Sequence, residues 1–383
     1  MPRFLLLSAT LLFCLSLLSA CAGPAAPALP NESSATSESA SDLESASPAA
    51  SAATAPTPAP EPTDLLVDLH LDTVTAMVEE GVPWTDRSLE ASLPELLEAG
   101  VDVVVQAAWI PRGDPNPRGT GIGKIRRIRN MVRQSRGQAA LVTGPDQLLR
   151  VVSEGRLAVV IALEGGTALT AGAETLREFR DLGLSMVGLT WTESSPYADS
   201  SAEPRSGDAA GLTPEGRELV VLANDLGLMI DVSHMSDRAT DETIALSRAP
   251  VLASHSNARS LCDVPRNLLD SQIRSIAAKG GLVGAMFHGP FVSKGQRARR
   301  QDVVRQLQGL VELAGAEHVG LGSDWDGKIQ SPLDLNSPAH FRPLSDDLKA
   351  AGMSASEIAG IRGLNFLRFW RAVDAARVGP KAR

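Results

Sequence analysis

Three histidines and a set of carboxylates recur along this chain in one local setting, at the end of a short apolar run. The segments are His70-Leu71-Asp72, Glu164-Gly165-Gly166, Asp231-Val232-Ser233-His234, Ser254-His255-Ser256 and Ser323-Asp324-Trp325-Asp326. Imidazole and carboxylate together form the borderline nitrogen and oxygen donor set that suits Zn²⁺. A carboxylate can bridge two such ions about 3.5–4 Å apart, and the pair then acidifies a shared water while polarising a carbonyl. That is hydrolytic chemistry. Alternation along an extended segment puts His70 and Asp72 on the same side, where both can address one ion. Taken alone, His234 reads equally well as a buried structural histidine and Asp324 as a loop cap. It is the repetition at five run ends that makes them one site.

Residues so far apart meet only if the elements carrying them converge. The apolar runs are Leu65–Leu71, Val101–Trp109, Leu157–Leu163, Ser185–Trp191, Leu228–Val232, Val251–Ser254, Leu282–Phe287 and His318–Gly322. Helical stretches alternate with them at Ser92–Ala99, Lys124–Arg136, Pro145–Glu154, Gly172–Leu182, Pro214–Leu226, Ser236–Ser247, Leu269–Ala278 and Arg300–Ala314. Near-continuous apolar strands alternating with helices are parallel strands covered on their outer face, and eight such units predict an α/β fold, a closed (β/α)8 TIM-like barrel. In that fold the C-terminal strand ends surround one pocket. A doubly wound open sheet would also alternate, but no Gly-rich dinucleotide fingerprint follows the first strand.

On these motifs the sequence resembles the membrane (renal) dipeptidase family of zinc peptidases, within the amidohydrolase-like barrels. The resemblance runs from Asp64 to about Val373 and rests on the order of DLHLD, ALEGG, DVSHMS, ASHSNAR, PRN, GLGSDWDG and GLNFLRFW. It implies two zinc ions, with His70 and Asp72 on the first, His234 and His255 on the second, and Glu164 bridging. It further implies that Arg266 binds the substrate's C-terminal carboxylate, that Asp324 shuttles the proton, and that GLNFLRFW packs a closing helix. The expected reaction is hydrolysis of dipeptides, including ones with a C-terminal D-residue, by a metal-bridging hydroxide. One position departs from the family pattern: where Leu-Thr-His-Asn is common, this chain has Leu189-Thr190-Trp191-Thr192. An indole offers one N–H and no protonatable nitrogen, and loss of one oxyanion donor can cost about 2.7–4 kcal/mol. Trp191 therefore reads as a substrate-binding residue that lines the pocket for a different side chain. It also leaves open a dizinc amidase or lactonase acting on a β-lactam, an N-acyl amino acid or a lactone. A metal-binding lipoprotein without catalysis is the alternative from another class.

The first 21 residues, one Arg followed by an apolar run ending Leu18-Ser19-Ala20-Cys21, read as a lipoprotein signal with Cys21 as the lipidated residue. Residues 22–63 are rich in Ala, Ser, Pro and Thr without Lys or Arg, and read as a disordered tether, leaving 64–383 as one catalytic barrel. Cys21 would hold the protein to a membrane by lipid alone, at the cell envelope facing an extracytoplasmic compartment, the outer membrane if the cell has one. Of the formal charge of −9, the leader carries +1 and the tether −5, leaving −5 for the barrel. That balance speaks against a nucleic-acid binder. A small peptide is the expected partner, and a homodimer is compatible. Arg126, Arg127, Arg129 and Arg133 read as a solvated helix face. Of the 3 cysteines, Cys262 lies in the barrel and reads as buried and inert.

Overall fold

Among the described residues nine strands form in chain order: β1 (Val67–Leu71), β2 (Val103–Trp109), β3 (Ala139–Leu141), β4 (Leu157–Glu164), β5 (Leu184–Gly188), β6 (Met229–Asp231), β7 (Leu252–Ala253), β8 (Leu282–Met286) and β9 (Val319–Gly322). All come from a computed structural model that describes residues 62–378 apart from 208, 209 and 296. The leader, Cys21 and all but the last two residues of the tether lie outside the described residues. Eight of the strands pair in parallel in the order β1-β2-β4-β5-β6-β7-β8-β9. The ring comes together where Leu71 bridges Trp325, with Asp72 N–H donating to the Trp325 carbonyl at 3.0 Å and Asp324 N–H to the His70 carbonyl at 3.0 Å. This is the expected (β/α)8 barrel.

Helices α1 (Thr73–Glu80), α2 (Leu93–Glu98), α3 (Pro117–Gln134), α4 (Pro145–Ser153), α5 (Ala173–Asp181), α6 (Pro214–Leu226), α7 (Asp237–Leu246), α8 (Asp270–Ala278), α9 (Gly289–Val292) and α10 (Arg300–Ala314) intervene. Their ends follow local chemistry. Before α6 the Thr213 hydroxyl accepts the Gly216 N–H and Pro214 opens the helix, while Gly227 closes it in the left-handed region at φ 67°. Several bounds differ from the sequence reading: β5 ends at Gly188, three residues before Trp191, and α1 and α9 fall where no helix is expected. Helix α3 starts seven residues before Lys124, because Asn116 caps it and Pro117 needs no N–H partner in the first turn. The short β3 pairs with the start of β4 off the main ring, and three residues are too few to stand out as a run.

Two apolar layers hold the barrel. Inside, Val67, Leu69, Val103, Val105, Val160 and Met186 meet Phe366, Phe369 and Trp370 of α13 (Asn365–Ala375), which follows α11 (Phe341–Ala350) and α12 (Ala355–Ala359). Full burial of a ring such as Phe366 or Phe369 contributes on the order of 1.5–3 kcal/mol. The GLNFLRFW segment is thus the closing helix that the sequence implies. Gly284 and Gly320 make room for the inner layer, since a Cβ on either would stand 2.9 Å from Leu69 Cδ1. Outside, the helices bury their apolar faces on the strands. Among the described residues no helix is long and apolar enough to cross a membrane.

Candidate metal centre

The candidate ligands sit at one end of the ring. His70 is in β1 and Glu164 is the last residue of β4, while His234, His255 and Asp324 follow β6, β7 and β9 within three residues. Simple alternation does not explain how β1 presents its pair. The β1–β2 register slips between Asp68 and Leu71, and Asp72 has already left the extended region at φ −98°, ψ 18°. Two of the six residues are held in the left-handed region, His234 at φ 67° and Asp324 at φ 64°, a conformation that a side chain makes uncommon and that tertiary bonds must hold. The Asp324 N–H bond to the His70 carbonyl does this for one. For the other, the His234 carbonyl accepts the Ser201 N–H at 2.7 Å.

Glu164 stands between two groups. Its Oε2 lies 3.5 Å from His70 Nε2, which is 3.8 Å from Asp72 Oδ2 and 3.9 Å from Asp324 Oδ1. Its Oε1 lies 3.0 Å from His234 Nε2 and 3.7 Å from His255 Nε2, and those two nitrogens are 3.0 Å apart. One oxygen toward each group is what a bridging carboxylate requires. The sets His70–Asp72–Glu164 and Glu164–His234–His255 each bring their ligand atoms within 4.8 Å of one another. His70 Nε2, Asp72 Oδ1 and Glu164 Oε2 are buried without a hydrogen-bond partner. Buried polar atoms are normally satisfied, so an unpartnered atom on each of three residues whose ligand atoms gather within 4.8 Å fits a divalent cation. Gly327 leaves space beside them: a Cβ there would lie 2.8 Å from both Asp324 Oδ1 and Asp72 Oδ2.

The electrostatics say the same. Burial pushes Asp72 up to about 7, with Glu164 adding to the effect and His70 and Lys124 opposing it. Asp324 is raised well above its usual range by burial and by the Asp72 and Glu164 charges, against the pull of His70. Burial works against the charged form of His70, but Glu164, Asp72 and Asp324 outweigh it and push the imidazole up to about 10. Glu164 is itself held low, because His70 and His234 overcome its burial. His234 falls to about 4 through burial and the Arg266 charge, and His255 falls further through burial and its neighbours His70, Arg266 and His234. Within the ligand set itself, His70 is the imidazole whose charged form the carboxylates favour, with Lys124 and Arg266 as the neighbouring cations.

Next to this centre is a cavity of about 240 Å³ lined by Asp72, Thr75, Glu79, Trp109, Trp191 and His234 among others. That is below the range of about 300–1,000 Å³ common for drug-sized ligands. Trp191 is in this wall, packed edge-on against Trp109 with ring centroids 4.8 Å apart. Arg266 is buried after β7. Its Nη1 donates to Ser256 Oγ at 2.8 Å and its Nη2 to the His255 carbonyl at 2.9 Å, while Nε has no partner. Asn267 beside it donates to the Cys262 and Phe291 carbonyls, both at 2.8 Å, and so clamps the loop.

Sequence reasoning passed over two residues. Trp109 closed an apolar run and Lys124 belonged to a basic helix, so neither stood out. Lys124 is buried, donates to Thr75 Oγ1 at 2.8 Å and lies 4.7 Å over the Trp109 ring. Arg126 and Arg133 are exposed as expected, but Arg127 and Arg129 are half-buried, and Arg129 donates to the Leu182 carbonyl at 2.9 Å. Cys262 is buried, unpaired and raised by burial. His288 accepts the Gln330 N–H and packs on Phe291.

A parallel barrel with imidazoles and carboxylates gathered at its C-terminal strand ends defines a barrel with a candidate metal centre. The family model for membrane dipeptidase, peptidase family M19, matches residues 63–382, and the chain belongs to that family. It is 32% identical over 293 residues to dipeptidase 3 of Rattus norvegicus, covering 75% of this chain and 59% of the rat protein. The chain therefore spans less than two thirds of that relative's length. It is also 32% identical over 254 residues to a Klebsiella pneumoniae protein from the pqqA 5′ region, covering 64% of this chain and 93% of that one. Among solved structures, the M19 metallopeptidase called dipeptidase AC superposes with a TM-score of 0.74 at 25% identity, covering 81% of this chain and 99% of that one. A Rhodobacter sphaeroides metallopeptidase liganded with a phosphinate mimic of L-Ala-D-Ala shares the fold with a TM-score of 0.74 at 24% identity, covering 82% and 100%.

Proposed function

We propose that the protein is a zinc-dependent dipeptidase holding two ions, His70 and Asp72 on one, His234 and His255 on the other, with Glu164 shared. The observation that carries this reading is Glu164, which turns one carboxylate oxygen to each of two donor groups. Zinc bound there supplies a Lewis acid for the scissile carbonyl and a water whose pKa falls toward 7. Arg266 holds the substrate's free carboxylate, using its unpartnered Nε and remaining guanidinium protons in a charge-assisted fork. That contact fixes the register, so that one peptide bond reaches the reacting centre. Asp324 accepts the proton of the attacking water at Oδ1 and passes it to the leaving amine. Its position supports that task, with Oδ1 standing 3.9 Å from His70 Nε2 at the edge of the donor groups. The Trp109–Trp191 wall faces the substrate side chain, and the small cavity favours short peptides.

The test is metal analysis of the full-length chain with a dipeptide panel that includes C-terminal D-residues, among them L-Ala-D-Ala. Two zinc ions per chain and hydrolysis in that panel are expected. Trp191 favours a second reading, a dizinc amidase or lactonase, so the panel also carries a β-lactam, an N-acyl amino acid and a lactone. Turnover confined to those replaces the dipeptidase reading, and zinc without any turnover replaces both with a binding protein.

The reading places the enzyme at the cell envelope, lipid-anchored through Cys21 and facing an extracytoplasmic compartment, with small peptides as partners. It engages no nucleic acid, and a homodimer is compatible with it. Replacing Cys21 with Ser is expected to move the protein from the membrane to the soluble fraction with kcat unchanged. Membrane retention of that variant rules out the anchor.

A further inference from the structure

Behind the two imidazoles lies a serine hydroxyl shared by three buried side chains. Ser254 Oγ is 2.5 Å from Asp231 Oδ2, 2.7 Å from His255 Nδ1 and 3.3 Å from His70 Nδ1. A hydroxyl has one proton to give and two lone pairs to offer. An ionised carboxylate can only accept, so that proton goes to Asp231. Both histidine contacts must then be Nδ1–H groups donating to the two lone pairs of Ser254. This leaves Nε2 of each ring unprotonated when the ring is neutral, and Nε2 is the atom that each ring turns toward Glu164. Ser233 Oγ is farther off at 3.4 Å and accepts the His255 N–H.

The hub is rigid. Asp231 Oδ1 accepts the Ser233 and Ser254 N–H groups, both at 2.9 Å. The Ser254 carbonyl is wedged between strands, because a Cβ on Gly284 or Gly322 would lie 2.1 or 2.0 Å from it. Asp231, His70 and His255 also bring ligand atoms within 4.8 Å of one another, but the Ser254 hydroxyl already bonds to all three.

We infer that Ser254, oriented by Asp231, is a positioning residue that fixes the tautomers of His70 and His255 together and so couples the two metal positions through one hydroxyl. The inference rests on the two-ion reading above. Partners of metal-bound histidines typically alter metal affinity by about 10–100-fold. Here one substitution reaches a ligand of each ion, whereas a ligand such as His234, which does not touch Ser254, belongs to one ion only.

The test titrates zinc against a competing chelator on zinc-free full-length protein, with thermal melting of the zinc-free forms as the fold control. In Ser254→Ala both zinc-binding steps are expected to weaken by roughly 10–100-fold, with the zinc-free protein still melting cooperatively, at a lower midpoint, as a folded chain. Ser254→Thr, which keeps the hydroxyl, is expected to restore both steps. His234→Ala is expected to weaken one step only. If Ser254→Ala does not fold, Asp231→Asn takes its place, since it leaves the hydroxyl but removes its fixed acceptor, and both steps should again weaken together. Wild type taking up fewer than two zinc ions overturns the two-ion reading and the coupling with it. Two ions in wild type, with one step or neither changed in the variants, overturns the coupling alone.

Discussion

Glu164 and Asp324 are both buried carboxylates, yet their surroundings move them in opposite directions. Two imidazoles stabilise the charge on Glu164, while burial and neighbouring carboxylates keep Asp324 ready to hold a proton. A residue that shuttles a proton needs the second condition and a metal bridge needs the first. Replacing Asp324 with Asn keeps the shape and removes the proton acceptor, so zinc content should stay at the wild-type level while kcat falls by about 10²–10⁴-fold. Unchanged kcat in that variant removes Asp324 from the reaction. The zinc-free protein should show a distinct pH dependence. Unfolded, His70 holds its proton only up to about 6.5, and folded up to about 10. Between those values the native state binds the extra proton, so stability falls as pH rises. Asp72, raised to about 7, acts in the same direction at the lower end. His234 and His255, both lowered, oppose it only near and below 6.5, where the unfolded histidines still hold protons, and are neutral in both states well above that value. Thermal melts of zinc-free protein should therefore show a falling midpoint from pH 7 to 10, and zinc should bind more tightly over the same range as it displaces that proton. A flat or rising midpoint contradicts the charge assignment.

The elements that carry these residues are short, and the loops after them do the fine placement. The β9 loop is the clearest case. Asp326 accepts the Glu90 N–H at 2.7 Å and the Ala91 N–H at 3.3 Å, and its own N–H donates to Glu90 Oε2 at 2.8 Å. This reciprocal clamp fastens residues 324–328 to the segment before α2. Gly327 lies within that clamp, facing the carboxylates of Asp72 and Asp324. An added methyl at Gly327 must displace both, and a misplacement near 1 Å costs on the order of 10²-fold in rate. Gly327→Ala is expected to lose about that much kcat and to bind the ion of His70 and Asp72 more weakly, read by zinc titration beside kinetics. Wild-type values for both would show that the loop yields. Much of this site was legible before the fold, because His70, Asp72, Glu164, His234, His255 and Asp324 each end an apolar run. The slip in β1, the left-handed backbone at His234 and Asp324, and the role of Ser254 were not. They depend on which strand lies beside which, and Ser254 next to a histidine looks like any loop serine. Trp109 and Lys124 escaped for the same reason, since their meaning arises only when α3 packs beside β2.

At the scale of the whole barrel, chemistry and stability occupy opposite ends. The ligands follow the C-terminal strand ends, while α13 packs under the N-terminal part of β1, beside Gly363, where a Cβ would lie 2.6 Å from Val67 Cγ2 and 2.8 Å from Leu65 Cβ. Barrels of this class tolerate change in the loops at one end because the packed interior and the other end hold the ring together. Trp370 tests that division. It is 1% exposed and sits in the inner apolar cluster with Phe366 and Phe369. Replacing Trp370 with Ala removes a large ring from a close-packed interior and should cost about 3–5 kcal/mol, seen as a lower urea midpoint for the zinc-free protein. The strand ends around Glu164 are joined by their own ladder, which runs from Trp109 beside Glu164 to Gly188 on its other side. With the ring intact at that end, the folded fraction of the variant should retain wild-type kcat and zinc content at temperatures well below its melting midpoint. A loss of kcat in proportion to the loss of stability would mean that the closing helix also sets the geometry of the metal centre and that the two ends are not independent.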